Sequence, residues 1–275
     1  MSFKRAALPT VYICLFLSAL AAARFDVFLP SYATSRLASV SVVLGFLTIA
    51  TFIVELRRAD DFLDRCNWPV FLVVVLLCGI PKHSTFAVAA TAMAALLIWR
   101  KDSRLSSIGQ LSLALAWIDF WGPSFYLLFD RWFLSLETMI AFEPLSWFTQ
   151  FTRDGNVIDN GAGHSIMVVE GCSAFRNTMT AAFVWLCSIK IQRLEVTIHR
   201  IVVLAFALGA VVVINSARLA LLSISAQSFF FWHDGLGFEI AKFSMIGVVF
   251  VIFFFGIKQE PNRKLLSGRG LAPVA

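Results

Sequence analysis

Charge is scarce in this chain. Of its 275 residues 15% are Asp, Glu, Lys or Arg, and 59% are hydrophobic. An ordinary soluble domain is about a quarter charged and about half apolar. The shortfall in charge argues against a soluble domain. Cysteine frameworks are lacking too. Five cysteines stand at positions 14, 66, 78, 172 and 187, without the spacing of a zinc site or a disulfide set. No metal or organic cofactor is expected. No internal repeat or low-complexity linker interrupts the chain, which is read as one membrane domain, 1–257, followed by a basic cytoplasmic tail, 258–275.

What the chain does have is long apolar runs. A membrane span needs roughly 20 mostly apolar residues, within about 17–25. Runs that approach or meet this length fall at 7–23, 37–56, 67–81, 84–99, 105–129, 172–190, 201–224 and 238–257. The fold class expected is all-α and polytopic, with about eight transmembrane helices. The short third and fourth runs, separated by Pro81-Lys82-His83, read as a helical hairpin or a re-entrant pair, and either leaves the later topology unchanged. The first run loosely fits a signal peptide, with Lys4-Arg5 before it and Ala21-Ala22-Ala23 at its end. An uncleaved span is expected, because more spans follow.

The net charge of +6 could suggest nucleic acid, but its distribution does not. With eight spans and the N-terminus inside, fifteen Lys and Arg fall in cytoplasmic segments and five in outer ones. Arg176, Arg218 and Lys242 lie within spans. This is the positive-inside bias of a multi-pass protein of the plasma (inner) membrane. No nucleic-acid partner is expected; membrane lipids are.

The largest extramembrane piece is 130–171, placed on the outer side. From Trp132 to Phe151 it is rich in aromatics, which suit an interfacial helix. Asp154-Gly155 and Asn160-Gly161 are turn signals. Around them, Asn156-Val157-Ile158 and Ser165 to Val169 are β-prone. A hairpin-like element is expected before the sixth span, with an edge on which an extended peptide could pair.

Directly after it comes Val168-Val169-Glu170-Gly171-Cys172-Ser173-Ala174-Phe175-Arg176. Cys14, Cys78 and Cys187 sit inside apolar runs and Cys66 on the inner side, all as small apolar filler. Cys172 differs, because it falls at the outer end of span six. The thiolate that attacks carbonyl carbon is favoured near a helix N-terminus or a cation. Arg218 falls in the outer part of span seven and His233 in the outer connection to span eight. The topology thus puts three distant residues on one face. His233 could take the thiol proton and return it to a leaving amine. Arg218 could stabilise the oxyanion of a tetrahedral intermediate. An arginine within a span costs roughly 2.5–3.5 kcal/mol at the helix centre, so it marks a task by default. Asn215 shares its helical face, three residues earlier. Gly235 and Gly237 would allow a sharp turn into span eight. Taken singly, Cys172 reads as structural, Arg218 as snorkelling to the interface and His233 as an interfacial residue beside Trp232.

The ordered trio Cys-Ser-Ala-Phe-Arg, Asn-Ser-Ala-Arg and His-Asp-Gly-Leu-Gly resembles the signature of the exosortase/archaeosortase family. That resemblance covers roughly residues 150–240 at the level of motifs. It implies a membrane-embedded cysteine transpeptidase that cleaves C-terminal sorting signals of exported proteins and transfers them to an acceptor, a lipid or a glycan. Carried over by position, the nucleophile is Cys172, the arginine Arg218 and the histidine His233, with the site on the extracytoplasmic face. Arg176 matches an arginine that often follows the family's cysteine. It could favour the thiolate or bind a substrate carboxylate, or simply pair with Glu170. Ala174 stands where the family commonly has glycine.

Other residues stay open. Asp119, mid-way in span five, could be functional or pair with Lys242 or Arg176. His164 could compete with His233 as base. Glu239 and Lys242 are three apart and expected to pair. Two other functions also remain: a polytopic transporter of a polysaccharide or lipid-linked precursor, using Asp119, Arg218 and Lys242, or a membrane protease that only hydrolyses.

Overall fold

The structure is a computed structural model that describes residues 103–148 and 150–257, together with scattered positions between 48 and 99. Apart from those positions, the spans expected at 7–23, 37–56, 67–81 and 84–99 lie outside the described residues, as does the tail 258–275. The expected total of eight spans is therefore carried by the sequence alone.

The described chain is mostly helical. Helix α1 (Ser103–Ala116) runs through a π-helical turn, Trp117–Trp121, into α2 (Gly122–Phe142). The π turn has a local cause. Pro123 has no N–H to give the carbonyl of Asp119, and its ring crowds that carbonyl, so the regular ladder cannot continue. Asp119 lies in this turn. Span five and the start of the expected interfacial helix thus form one helical run, bent at Phe129 (φ −125°, ψ 15°). The run ends at Phe142, and a single 3-10 turn, Leu145–Trp147, follows.

In place of a hairpin there is a three-stranded antiparallel meander. Strand β1 (Thr152–Asp154) pairs with β2 (Val157–Asp159), which pairs with β3 (Ser165–Met167). Gly155 takes a φ of +57° as the first residue of the tight β1–β2 loop, a conformation that glycine adopts without strain. Beyond the strands, Asn160 donates its N–H to the His164 carbonyl and Val168 to the Asn156 carbonyl. With Ile158 paired to Ile166 between them, even-numbered residues of β3 face their partner strand. The N–H and C=O groups of Ser165 and Met167 therefore point to the open edge.

Helices α3 (Phe175–Ile191), α4 (Ile198–Leu222), α5 (Ala226–His233) and α6 (Leu236–Gly256) complete the described chain. Helices α4 and α6 are long and apolar enough to cross a membrane. They pack on each other through Ala207, Val211, Ala241, Met245 and Val249, while Phe206, Val213, Phe243, Phe250 and Phe254 stay exposed on their other faces. Such faces suit hydrocarbon rather than water. Successive helices α3, α4 and α6 alternate in direction. The start of α3, the end of α4 and the start of α6 consequently share one end of the bundle, where the sheet also sits. Two hydrogen bonds fasten the sheet there. His164 Nε2 meets the Leu222 carbonyl at 3.0 Å, and Asn160 Nδ2 donates to the Ile224 carbonyl at 2.9 Å.

Candidate active site

Cys172 is not the first residue of a helix. It closes a 3-10 turn, Glu170–Cys172, and α3 begins only at Phe175. The delay has a physical cause. Ser173 is extended (φ −70°, ψ 144°), and its hydroxyl accepts the N–H of Phe175 at 3.1 Å. The N–H of Ala174 is held by a carboxylate from another helix, Glu137 of α2, at 3.0 and 3.1 Å to its two oxygens. The Ser173 hydroxyl donates to the same carboxylate at 2.7 Å. The thiol is buried within a cluster formed by Tyr126, Ile158, Val168 and Leu219.

Helix α4 turns one stripe inward: Val211, Asn215, Arg218, Leu219 and Leu222 are all buried, at the i, i+3, i+4 spacing of a single face. Asn215 Nδ2 donates to the Cys172 carbonyl at 2.8 Å. Among the described residues its Oδ1 is buried without a partner, which costs about 1–3 kcal/mol. One turn on, Arg218 Nε donates to the Trp232 carbonyl at 3.0 Å, and its guanidinium lies 5.1 Å over the Phe238 ring. That guanidinium interacts electrostatically with Cys172 and Asp234. No other hydrogen bond among the described residues takes up its two Nη groups.

His233 ends α5, a short helix not expected from the sequence. Its Nδ1 lies 2.9 Å from Asp234 Oδ1, and its ring stacks on Phe229 with centroids 4.8 Å apart. The imidazole is 38% exposed. No hydrogen bond joins it to Cys172. His164, the rival base, is tied to the end of α4 through Nε2 and meets Phe229 edge-on from the sheet side.

Gly237 does not make the turn into α6. It lies in the first turn of that helix, where a Cβ would stand 2.8 Å from Phe231 and Trp232 ring atoms. The position demands closeness rather than an unusual backbone angle. Lys242 pairs with Glu239 at 3.2 Å, as its spacing suggested. Glu170 and Arg176 are both exposed, and no ion pair joins them among the described residues.

The structure thus brings together Cys172, Asn215 and Arg218, and links Arg218 to the α5 elbow that carries His233. The sequence reading passed over Glu137 and Asp234. Asp234 had a signal, an acid adjacent to the candidate base. Glu137 had a fainter one. Leu134, Glu137, Thr138 and Ala141 form an i, i+3, i+4, i+7 stripe and are all buried.

One arrangement limits the chemistry. The amides around the thiol are all engaged: Cys172 N–H by the Val169 carbonyl, Ser173 by the Glu170 carbonyl, Ala174 by Glu137 and Phe175 by the Ser173 hydroxyl. None of these four is available to an oxyanion in this geometry, whereas among the described residues no hydrogen bond occupies the Nη groups of Arg218.

Membrane-length helices that gather a buried thiol, an arginine and a histidine at one end define a transmembrane protein with a candidate thiol site. The chain belongs to the transmembrane exosortase family (Exosortase_EpsH), whose profile matches residues 4–255. That family is associated with the processing of C-terminal sorting signals and consists generally of cysteine transpeptidases. No curated protein and no solved structure matches the chain.

Proposed function

We propose that this chain cleaves the C-terminal sorting signal of exported proteins on the extracytoplasmic face of the plasma membrane and passes the new C-terminus to an acceptor. The substrate's apolar tail docks against the exposed faces of α4 and α6. The extended segment before the cut pairs with the open edge of β3, whose Ser165 and Met167 backbone groups point outward five to seven residues ahead of the thiol. Cys172 Sγ attacks the carbonyl carbon, and its proton passes to His233 Nε2. Asp234 holds Nδ1, which leaves Nε2 as the basic nitrogen. The imidazole reaches the thiol by turning off Phe229. The C–N bond breaks, the proton goes to the leaving amine, and a thioester remains. An amine or hydroxyl of a lipid or glycan, or water, then attacks and returns the thiol.

The observation that carries this reading is that one face of α4 holds the Cys172 carbonyl through Asn215 and carries Arg218 one turn on, with the amides at the thiol already taken. Charge developing on the carbonyl oxygen then falls to the arginine. The test is a tagged substrate in cells carrying Cys172→Ala, Arg218→Ala or His233→Ala, with the new C-terminus weighed by mass spectrometry. Normal processing by the Cys172→Ala strain would refute the mechanism. A free carboxylate would mark hydrolysis, and an added mass would mark transfer. Flux of a solute, indifferent to thiol reagents, would favour the transporter.

A further inference from the structure

Glu137 is buried on α2, 35 residues before the thiol, and it spends its carboxylate on the turn that carries Cys172. A carboxylate sequestered from water costs free energy unless it is well hydrogen-bonded. Glu137 meets that requirement through Ser173 Oγ at 2.7 Å and Ala174 N at 3.0 and 3.1 Å. From the opposite side, Asn215 of α4 holds the Cys172 carbonyl. The nucleophile is therefore clamped between two helices: its carbonyl by α4, and the two residues after it by α2.

We propose that Glu137 is the positioning residue of the thiol, reaching across from α2 to fix the Ser173–Ala174 turn and hence the direction of Cys172 Sγ. The inference rests on reading Cys172 as the nucleophile. Three features support a positioning role. The acid sits in a stripe with Leu134, Thr138 and Ala141, and its hydrogen bonds go to Ser173 and Ala174 rather than to any of these, so the helix gains nothing locally from it. It accepts the N–H of Ala174, the N-cap residue of α3, as the glutamate of a capping box does from within its own helix. It also draws Ser173 out of helical geometry, which leaves Cys172 on a turn rather than within the first helical turn. Without this tether Ala174 N–H would be free to seek other partners, and the thiol would lose its fixed bearing relative to Arg218.

Reach, not charge, is the property that matters. Glutamine at 137 keeps the length, an acceptor for Ala174 N–H and a donor for Ser173 Oγ. Aspartate keeps the charge but is one methylene short. The test uses the full chain in phospholipid nanodiscs with two readouts. The first is the rate at which iodoacetamide modifies Cys172, followed by peptide mass spectrometry, which needs no substrate. The second is kcat and KM for cleavage of a tagged sorting-signal peptide. A displacement of about 1 Å at a reacting group can cost on the order of 10²-fold. The expected result for Glu137→Asp is a kcat lower by about tenfold or more, a KM within about threefold of wild type, and a Cys172 alkylation rate changed by at least about threefold. Glu137→Gln is expected to stay within about threefold of wild type in both readouts. An aspartate variant that matches wild type, a glutamine variant as impaired as the aspartate, or a loss confined to KM would each overturn the proposal. If the wild-type protein alkylates at Cys172 but cleaves no tail, the functional reading fails. The alkylation rates of the two variants then decide on Glu137 alone.

Discussion

Gly237→Ala is a sharp probe of how the histidine elbow is built. The new methyl carbon would lie 2.8 Å from Phe231 Cδ1 and Cε1 and from Trp232 Cδ2, where ordinary contact begins near 3.4 Å. Both rings must therefore give way by roughly half an ångström, and both belong to α5. Overpacking of this kind costs about 1–3 kcal/mol. Replacing a helical glycine by alanine returns about 1 kcal/mol. The net destabilisation is about 0–2 kcal/mol, or a few degrees in melting temperature at about 2–4 °C per kcal/mol for a chain of this size. The functional loss should be larger, because the displaced Trp232 carries the carbonyl that holds Arg218 Nε at 3.0 Å. The assay pairs thermal unfolding in detergent with turnover of a tagged sorting signal. Two controls sharpen it. Gly247→Ala in the same helix meets nothing within 4 Å among the described residues and should stabilise by about 0.5–1 kcal/mol. Phe231→Ala combined with Gly237→Ala should recover part of the lost turnover, as coupled neighbours do. Gly237→Ala behaving like Gly247→Ala in both measurements would refute this close packing.

Three further outcomes are expected. Asn215→Ala leaves the Cys172 carbonyl without its donor, at about 1–3 kcal/mol, offset in part because the unpartnered Oδ1 also disappears; turnover should fall more than stability. His164→Ala removes one hydrogen bond between the sheet and the Leu222 carbonyl and should cost about 0.5–1.5 kcal/mol in thermal unfolding while tail cleavage persists; loss of cleavage with an unchanged melting temperature would make His164 the base instead of His233. Burial pushes the Glu137 carboxyl above its ordinary value of 4.5, against the pull of the Ala174 N–H and the Ser173 hydroxyl. Between pH 4.5 and that raised value the native state holds a proton that the unfolded chain has released. Its contribution to stability is complete below pH 4.5 and is lost as pH rises to the folded value, with a slope of at most about 1.4 kcal/mol per pH unit. Glu137→Gln should flatten that part of the pH–stability curve, and an unchanged slope would contradict the assignment.

The parts of this fold that depend on solvent were legible in the sequence. The apolar runs at 201–224 and 238–257 became α4 and α6 with ends shifted by only one to three residues, because the requirement that lipid imposes on composition is met residue by residue. The β-prone segments of β2 and β3 were legible for a similar reason, Ile158 and Ile166 being inward members of alternating runs. Strand β1 was not, since Thr152-Arg153-Asp154 has no apolar alternation and is a strand only through its backbone pairing with β2. The site divides in the same way. Cys172, Arg218 and His233 drew attention because each is costly or reactive where it stands. Glu137 drew none, since an isolated acid in a segment placed outside the membrane reads as solvent-exposed until a partner is known, and its partners are 36 and 37 residues away.

That asymmetry bears on how the site is held. Residues that carry charge or reactivity stand out in a sequence by their chemistry. Those that aim them stand out only by contact, and here the aiming contacts come from both sides of one turn. Asn215 and Glu137 hold successive peptide groups on either side of Ser173, so the thiol's bearing is set by the spacing of α2 and α4 rather than by α3, the helix it precedes. A change that shifts α2 against α4 should therefore impair Cys172 while leaving α3 intact. Thr138→Val probes the turn of α2 that carries Glu137. Thr138 is fully buried one residue after Glu137, and its hydroxyl donates to the Leu134 carbonyl at 2.6 Å. Valine keeps the shape and removes the bond. The exchange should cost about 1 kcal/mol, and by loosening the turn of α2 that carries Glu137 it should slow turnover without changing KM. A rise in KM with kcat unchanged would place the effect in substrate docking and show that the α2–α4 spacing does not aim the thiol.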